Sequence, residues 1–155
     1  MAIRDYKESD FHSVISINQE SFAKPEPIEF VQASIENGRV WVAVSDEVNV
    51  QNPAGVEKVV GFLISKFKHS TSYVNNVAVL SEYRHKGIAK KLFEKFEEFY
   101  GFQQKSEVKI FWLQVRANNP AQKLYFDWGY RVTGFDEHYY GRNEHALCMY
   151  KSARI

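Results

Sequence analysis

Residues 2–6 (AIRDY) alternate apolar and polar positions, the period of a short strand. From Glu8 the period lengthens, and Phe11, Val14, Ile15 and Phe22 fall on one helical face, with Ser9 or Asp10 as N-cap. Lys24-Pro25-Glu26-Pro27 breaks that helix, since proline lacks a backbone donor and restricts the residue before it. A second short helix is predicted from Ile28 to Glu36, stopped by Asn37-Gly38. Residues 39–45 (RVWVAVS) read as a strand and 58–68 as the returning one, joined by the polar connection 46–57. Residues 72–80 (SYVNNVAVL) form another strand. After the polar loop 81–87 (SEYRHKG), Ile88, Leu92, Phe96 and Phe99 recur at helical spacing as far as Gly101. The nearly continuous apolar run 108–115 (VKIFWLQV) predicts a central strand buried on both faces. Asn119-Pro120 opens a helix with Ala121, Leu124, Tyr125 and Trp128 on one stripe, and Gly129 ends it. Residues 130–136 and 145–150 are the last two strands.

That order predicts an α/β (α+β) chain with one central sheet of about seven strands and helices on both faces. At 155 residues the chain has the size of one domain, so 1–155 is read as a single unit. Its 12 Phe, 9 Tyr and 3 Trp are enough to build a core. Twenty Lys and Arg against 19 Asp and Glu leave a net charge of +1, which argues against a dedicated nucleic-acid binder. Residues 1–12 are charged with no apolar core, and the longest apolar runs are short, such as Val40–Val44. No signal peptide or membrane span is predicted, and a cytoplasmic protein is expected. The one cysteine, Cys148, has no internal disulfide partner. Neither it nor the five histidines show zinc-ligand spacing, so no metal is expected. There is no G-x-S-x-G, G-x-x-x-x-G-K-[ST] or G-x-G-x-x-G, so simple hydrolase, nucleotidase and dehydrogenase readings lose their usual support.

One segment runs against local rules. A helix start carries partial positive charge and unpaired N–H groups, and it favours acidic residues. Here Arg84, His85, Lys86, Lys90 and Lys91 crowd such a start, opposed by Glu82 alone. The arrangement suits a bound anion, with Gly87 and Ala89 letting a phosphate or pyrophosphate approach the backbone. It also suits a solvated basic face. The strand just before it places a ligand at a strand C-terminus, where open α/β sheets bind ligands.

Arg84-His85-Lys86-Gly87-Ile88-Ala89, after a strand and before a helix, resembles the [Q/R]-x-x-G-x-[G/A] acetyl-CoA signature of the GCN5-related N-acetyltransferase (GNAT) superfamily. Three more segments match in order. Asn76-Val77-Ala78-Val79 resembles N-[IV]-A-V, and residues 118–130 (NNPAQKLYFDWGY) resemble N-x-x-A-x-x-L-Y-x-x-x-G-[FY]. Residues 139–149 (YYGRNEHALCM) resemble the ending of the ribosomal-protein-alanine and N-terminal acetyltransferase branch. The resemblance spans the chain and implies a splayed mixed sheet and transfer of an acetyl group from acetyl-CoA to a primary amine.

It also implies roles. The backbone of Val77, Ala78 and Val79 would bind the pantetheine arm, with a Val77 N–H for the oxyanion. Arg84, His85, Lys86, Gly87, Ile88, Ala89 and Lys90 would surround the pyrophosphate, and Tyr125 would serve the thioester sulfur as general acid. Asn119 precedes Pro120 and lies three before Gln122, an N-cap arrangement, while Asn118 lies seven before Tyr125, the spacing usual in the family, so the resemblance implies Asn118 as the cofactor asparagine, with Asn119 the alternative. Without the resemblance, Tyr125 on its apolar stripe would read as a packing residue. The branch usually has L-E-V where this chain has Leu113-Gln114-Val115, and a glutamine amide accepts no proton at neutral pH. Gln114 is then expected to relay through a water, with Glu20, Glu137 and His138 as other candidate bases. Phe22 and Tyr139 are the expected acceptor-side residues. A peptide or protein amine is favoured, with a small amine (polyamine, amino acid, aminoglycoside) or a non-catalytic acyl-CoA-binding module as alternatives. Monomer and homodimer are both compatible with the sequence.

Overall fold

The computed structural model describes residues 1–103 and 110–153. The elements follow the expected order: β1 (Ala2–Asp5), α1 (Phe11–Ser21), α2 (Ile28–Asn37), β2 (Arg39–Ser45), β3 (Lys58–Lys68), β4 (Thr71–Val79), α3 (Ile88–Glu98), β5 (Ile110–Arg116), α4 (Ala121–Asp127), β6 (Arg131–Gly141) and β7 (Glu144–Ser152). Residues 108–109 of the predicted fifth strand lie outside the described residues. The seven strands form one mixed sheet in the order β1-β2-β3-β4-β5-β7-β6. The chain packs as two compact units, Met1–Lys66 with Asn75–Phe99 and Phe67–Val74 with Tyr100–Ile155, so β4 contributes to both.

In the first unit β1, β2 and β3 pair antiparallel, with an irregularity at Ala43/Val44. Trp41, Val42, Phe62, Leu63 and Ile64 are fully buried there with Val14, Val31, Leu92 and Phe96. The predicted α1 face is corrected: its buried positions are Val14, Ile17 and Asn18, while Ile15 is half-buried. Asn18 is tolerated there because it is hydrogen-bonded. Its Nδ2 donates to the Glu26 carbonyl at 3.2 Å, and its Oδ1 accepts from Asn76 Nδ2 at 2.9 Å. Asp10 stands at the N-cap position of α1, as expected, but its side chain makes no cap hydrogen bond to that helix. Its carboxylate accepts the Lys7 N–H at 2.8 Å and two hydrogen bonds from Arg4 at 2.8 and 3.0 Å. Burial alone would raise the Asp10 carboxyl, but these donors hold it below the ordinary carboxylate range.

In the second unit β4 pairs parallel to β5 from Thr71↔Ile110 to Val74↔Leu113. β5 pairs antiparallel to β7 along its whole length, and β7 to β6. The expectation that the fifth strand is buried on both faces is corrected. Phe111, Leu113 and Val115 are buried, whereas Ile110, Trp112, Gln114 and Arg116 are half-buried on the other face. Alternation explains it, because the second face carries a glutamine and an arginine. The strands buried on both faces are β2 and most of β3. The α4 stripe is corrected too: no α4 residue is fully buried, and Leu124 is 49% exposed.

Candidate active site

The first unit carries the basic loop and the strand before it. Ala78 and Val79 are buried and Val77 is half-buried at the end of β4. A β-carbon on Gly61 of β3 would come within 3.1 Å of the Ala78 carbonyl oxygen and 3.2 Å of Val79 Cγ2, so the glycine permits this close approach. Arg84 Nε donates to the Val79 carbonyl at 3.0 Å, which ties the loop to the strand. The Val79 carbonyl is thereby engaged within the protein.

His85 (φ 62°) and Gly87 (φ 78°) both adopt left-handed backbone conformations on either side of Lys86. Such alternation turns successive N–H groups toward one side, the geometry of an anion nest. Gly87 is the N-cap of α3, and its carbonyl accepts the Lys91 N–H at 3.1 Å. No side chain caps this helix, and its first turn holds no acidic residue. The opening N–H groups at 88–90 therefore lack intrahelical partners. Ile88 is buried and roots the helix, while Arg84, His85, Lys86 and Lys90 are exposed. Lys86 Nζ and Lys58 Nζ lie 5.3 and 5.9 Å from the centre of the Tyr83 ring. This end of α3 offers free backbone donors amid cations.

Two other predicted residues lie in the first unit. Phe22 is half-buried at the C-cap of α1. Glu20 borders an open cavity of about 340 Å³ whose lining includes His12, Ser16, Lys58 and Glu82.

The second unit carries the remaining candidates. Asn119 Oδ1 accepts the Ala121 N–H at 2.8 Å, and Gln122 Nε2 donates to the carbonyls of Asn119 and Ala117 at 3.0 and 2.7 Å. Asn119 thus serves the start of α4, and Asn118 is exposed. Tyr125 is half-buried, with its ring edge-on to Trp128 and Tyr130. Burial, and after it the nearby Tyr140 hydroxyl, pushes the Tyr125 hydroxyl up to about 12. Tyr125 therefore holds its proton at neutral pH. The Tyr139–Tyr140 pair divides as expected: Tyr139 is 58% exposed, while Tyr140 is half-buried with the Arg116 guanidinium 4.3 Å from its ring centre.

Gln114 has a partner that the sequence reading did not name. Its Nε2 donates to Asp136 Oδ2 at 2.6 Å and to Cys148 Sγ at 3.4 Å. The Cys148 thiol also points to Asp136 Oδ2, at 3.7 Å. Burial raises the Cys148 thiol despite the Gln114 hydrogen bond, and the Asp136 charge adds to the rise, so it stays protonated and donates. The register explains the trio. Gln114 and Gly134 both stand opposite Cys148, and a bulge between Val132 and Gly134 shifts the rest of β6 by one position. Asp136, two residues after Gly134, therefore shares a face with Gln114, and Glu137 projects the other way.

His138 is less suited to accept a proton. Its Nδ1 accepts the Asn143 N–H at 2.9 Å, which leaves Nε2 as the protonated nitrogen of the neutral ring. Its own N–H donates to His145 Nδ1 at 2.9 Å.

Comparison with known proteins identifies the family and the fold. The acetyltransferase (GNAT) domain family matches residues 36–132. An uncharacterized N-acetyltransferase of Methanocaldococcus jannaschii is 26% identical over 152 residues, covering 97% of this chain and 91% of its own. The ribosomal-protein-S18-alanine N-acetyltransferase of Escherichia coli has the same fold, with TM-score 0.79 and 21% identity, covering 99% of this chain and 94% of that one. So does NAA60 of Arabidopsis thaliana, solved with a bisubstrate analogue, with TM-score 0.83 and 20% identity, covering 97% of each chain. Since the family match extends over more than half the chain, this protein belongs to the GNAT acetyltransferase family.

Proposed function

We propose that the chain transfers the acetyl group of acetyl-CoA to an amine of a protein or peptide, and that the amine is an N-terminal α-amine. The observation that carries the cofactor reading is the start of α3. Left-handed His85 and Gly87, uncapped N–H groups and the cations Arg84, Lys86 and Lys90 fit a pyrophosphate. Val77–Val79 would run along the pantetheine arm, and exposed Asn118 is free to serve the cofactor while Asn119 caps α4. The fold neighbour from Escherichia coli, a ribosomal-protein-S18-alanine N-acetyltransferase by name, supports a protein acceptor over a small amine.

The chemistry joins the amine nitrogen to the acetyl carbon and breaks the carbon–sulfur bond. Tyr125 would act at sulfur. An ordinary thiol titrates near 8.5, so full proton transfer from a hydroxyl at about 12 is uphill by about 5 kcal/mol. Tyr125 thus serves as a hydrogen-bond donor to the departing thiolate, which takes its proton from water. At pH 7 roughly a tenth of an α-amine is neutral, against about 0.04% of a lysine side chain. An α-amine therefore makes the smaller demand on whatever base the site supplies.

Two measurements test the reading. Acetyl-CoA titrated by calorimetry should bind in the micromolar range, and Lys86→Ala with Lys90→Ala should weaken it at least tenfold. Peptides with a free α-amine and no lysine should be acetylated, and Tyr125→Phe should lower kcat with acetyl-CoA affinity unchanged. A folded wild-type protein that does not bind acetyl-CoA would refute the assignment. Preference for small amines or for Nα-blocked, lysine-bearing peptides would refute the acceptor.

A further inference from the structure

We propose that Asp136, held in place by Gln114, is the carboxylate that takes the proton from the acceptor amine. The inference rests on the acetyl-transfer reading above. Direct attack on a thioester needs a neutral amine, and an acceptor that arrives as an ammonium must first lose a proton. Among the acidic side chains of the second unit, Glu144 is paired with Arg116 at 3.3 Å. Glu137 projects to the face away from Gln114, and His138 and His145 each use Nδ1 to accept a backbone N–H. Asp136 differs. Gln114 Nε2 and the Cys148 thiol both donate to its Oδ2, while its Oδ1 accepts nothing among the described residues.

Two donors on one oxygen fix the carboxylate and leave the other oxygen for a substrate proton. The donors are a neutral amide and a neutral thiol, so the negative charge of Asp136 is not cancelled, as it would be beside an arginine. The side chain is also exposed, so a captured proton can pass to water. Gln114 acts here through Asp136 and is a positioning residue.

The step balances without a further reactant. The ammonium proton moves to Asp136 Oδ1, and the freed nitrogen lone pair forms the carbon–nitrogen bond. Collapse of the tetrahedral adduct breaks the carbon–sulfur bond, and the departing thiolate carries the electron pair. The second nitrogen proton leaves to solvent, and the thiolate is protonated from solvent. The products are the amide, the thiol and one released proton.

The test is kcat/KM for a free α-amine peptide from pH 6.5 to 9.5, with wild type, Asp136→Asn and the exchange Gln114→Glu/Asp136→Asn. An asparagine carbonyl still accepts from Gln114, so the single variant removes charge while keeping the contact. Its loss should be about tenfold at pH 7, the inverse of the neutral-amine fraction, and should close to within about threefold near pH 9. The exchanged pair returns a carboxylate to the same place and should recover most of the rate. Equal kcat/KM for Asp136→Asn and wild type at pH 7 would overturn the assignment and leave the acetyl-transfer reading standing. So would a loss that is the same at every pH, or one the exchanged pair does not recover. A wild-type protein that binds acetyl-CoA yet acetylates no amine would refute both readings.

Discussion

Gly87→Ala separates what the anion loop needs for folding from what it needs for binding. A β-carbon at Gly87 would meet nothing within 4 Å, so space is not the reason for a glycine there. Its φ of 78° is the reason, because a left-handed conformation costs a non-glycine residue roughly 1–2 kcal/mol. In a chain of this size that cost lowers Tm by about 2–8 °C. If the loop escapes the strain by returning φ to negative values, the N–H groups at 87 and 88 turn away from their present direction. Restoring them when the ligand binds then costs the same 1–2 kcal/mol, a loss of about five- to thirtyfold in affinity. Thermal unfolding with and without acetyl-CoA measures both terms. At 100 times Kd a ligand stabilises by about 2.7 kcal/mol, so wild type should gain about 5–10 °C. The same ligand concentration should shift the variant by only about one-third to two-thirds as much. An unchanged ligand shift in a variant whose ligand-free Tm has fallen would show that the left-handed turn serves the fold alone.

Gly61→Ala should destabilise by about 1–2 kcal/mol, read from urea midpoints. The new methyl faces a backbone carbonyl at 3.1 Å and overpacks by more than the smaller entropy of the unfolded chain returns. It should also weaken acetyl-CoA binding, since the displaced strand is Ala78–Val79. The Arg4–Asp10 pair sets an acid limit. Because Asp10 titrates lower in the folded chain than in the unfolded chain, its contribution is complete above the unfolded carboxylate value, about 4, and fades as pH falls through the lower folded value. Asp10→Asn should cost about 2 kcal/mol at pH 7 and progressively less below pH 4 in urea titrations.

The element order was legible because most elements carry their own signal: a proline break before Ile28, Asn37-Gly38 after α2, and a polar loop before Ile88. What composition does not reveal is which strand the rest of the chain covers. The run at 108–115 looks as apolar as 39–45, yet β5 buries one face and β2 both. Gln114 and Arg116, both on the second face of β5, were the available clue. The β3–β4 turn falls where the predicted strand ends put it, although His69 (φ 51°) and Ser70 (φ 65°) occupy left-handed positions usually filled by Asn-Gly. Asn18 and Asp10 were hidden for another reason. Each is a polar residue in a buried place, and the partners that permit it, Asn76 and Arg4, come from other elements.

The site divides along the same line. The loop at 84–90 could be read locally because its chemistry is contiguous: cations, a glycine and a helix start lie within seven residues. Gln114 and Asp136 are 22 residues apart, on strands separated in the sheet by β7. Strict alternation along β6 from Val132 would turn Thr133, Phe135 and Glu137 toward the Cys148 face, which makes Glu137 the natural candidate. The bulge between Val132 and Gly134 inserts one residue and exchanges the two acids. Cys148 is small enough for the Gln114 amide to reach across it to the carboxylate. One backbone irregularity thus decides which acid stands beside Gln114. Removing residue 133 should therefore straighten the strand with Gly134 still opposite Cys148 and Asp136 still on that face, and kcat/KM should respond to Asp136→Asn as before and not to Glu137→Gln.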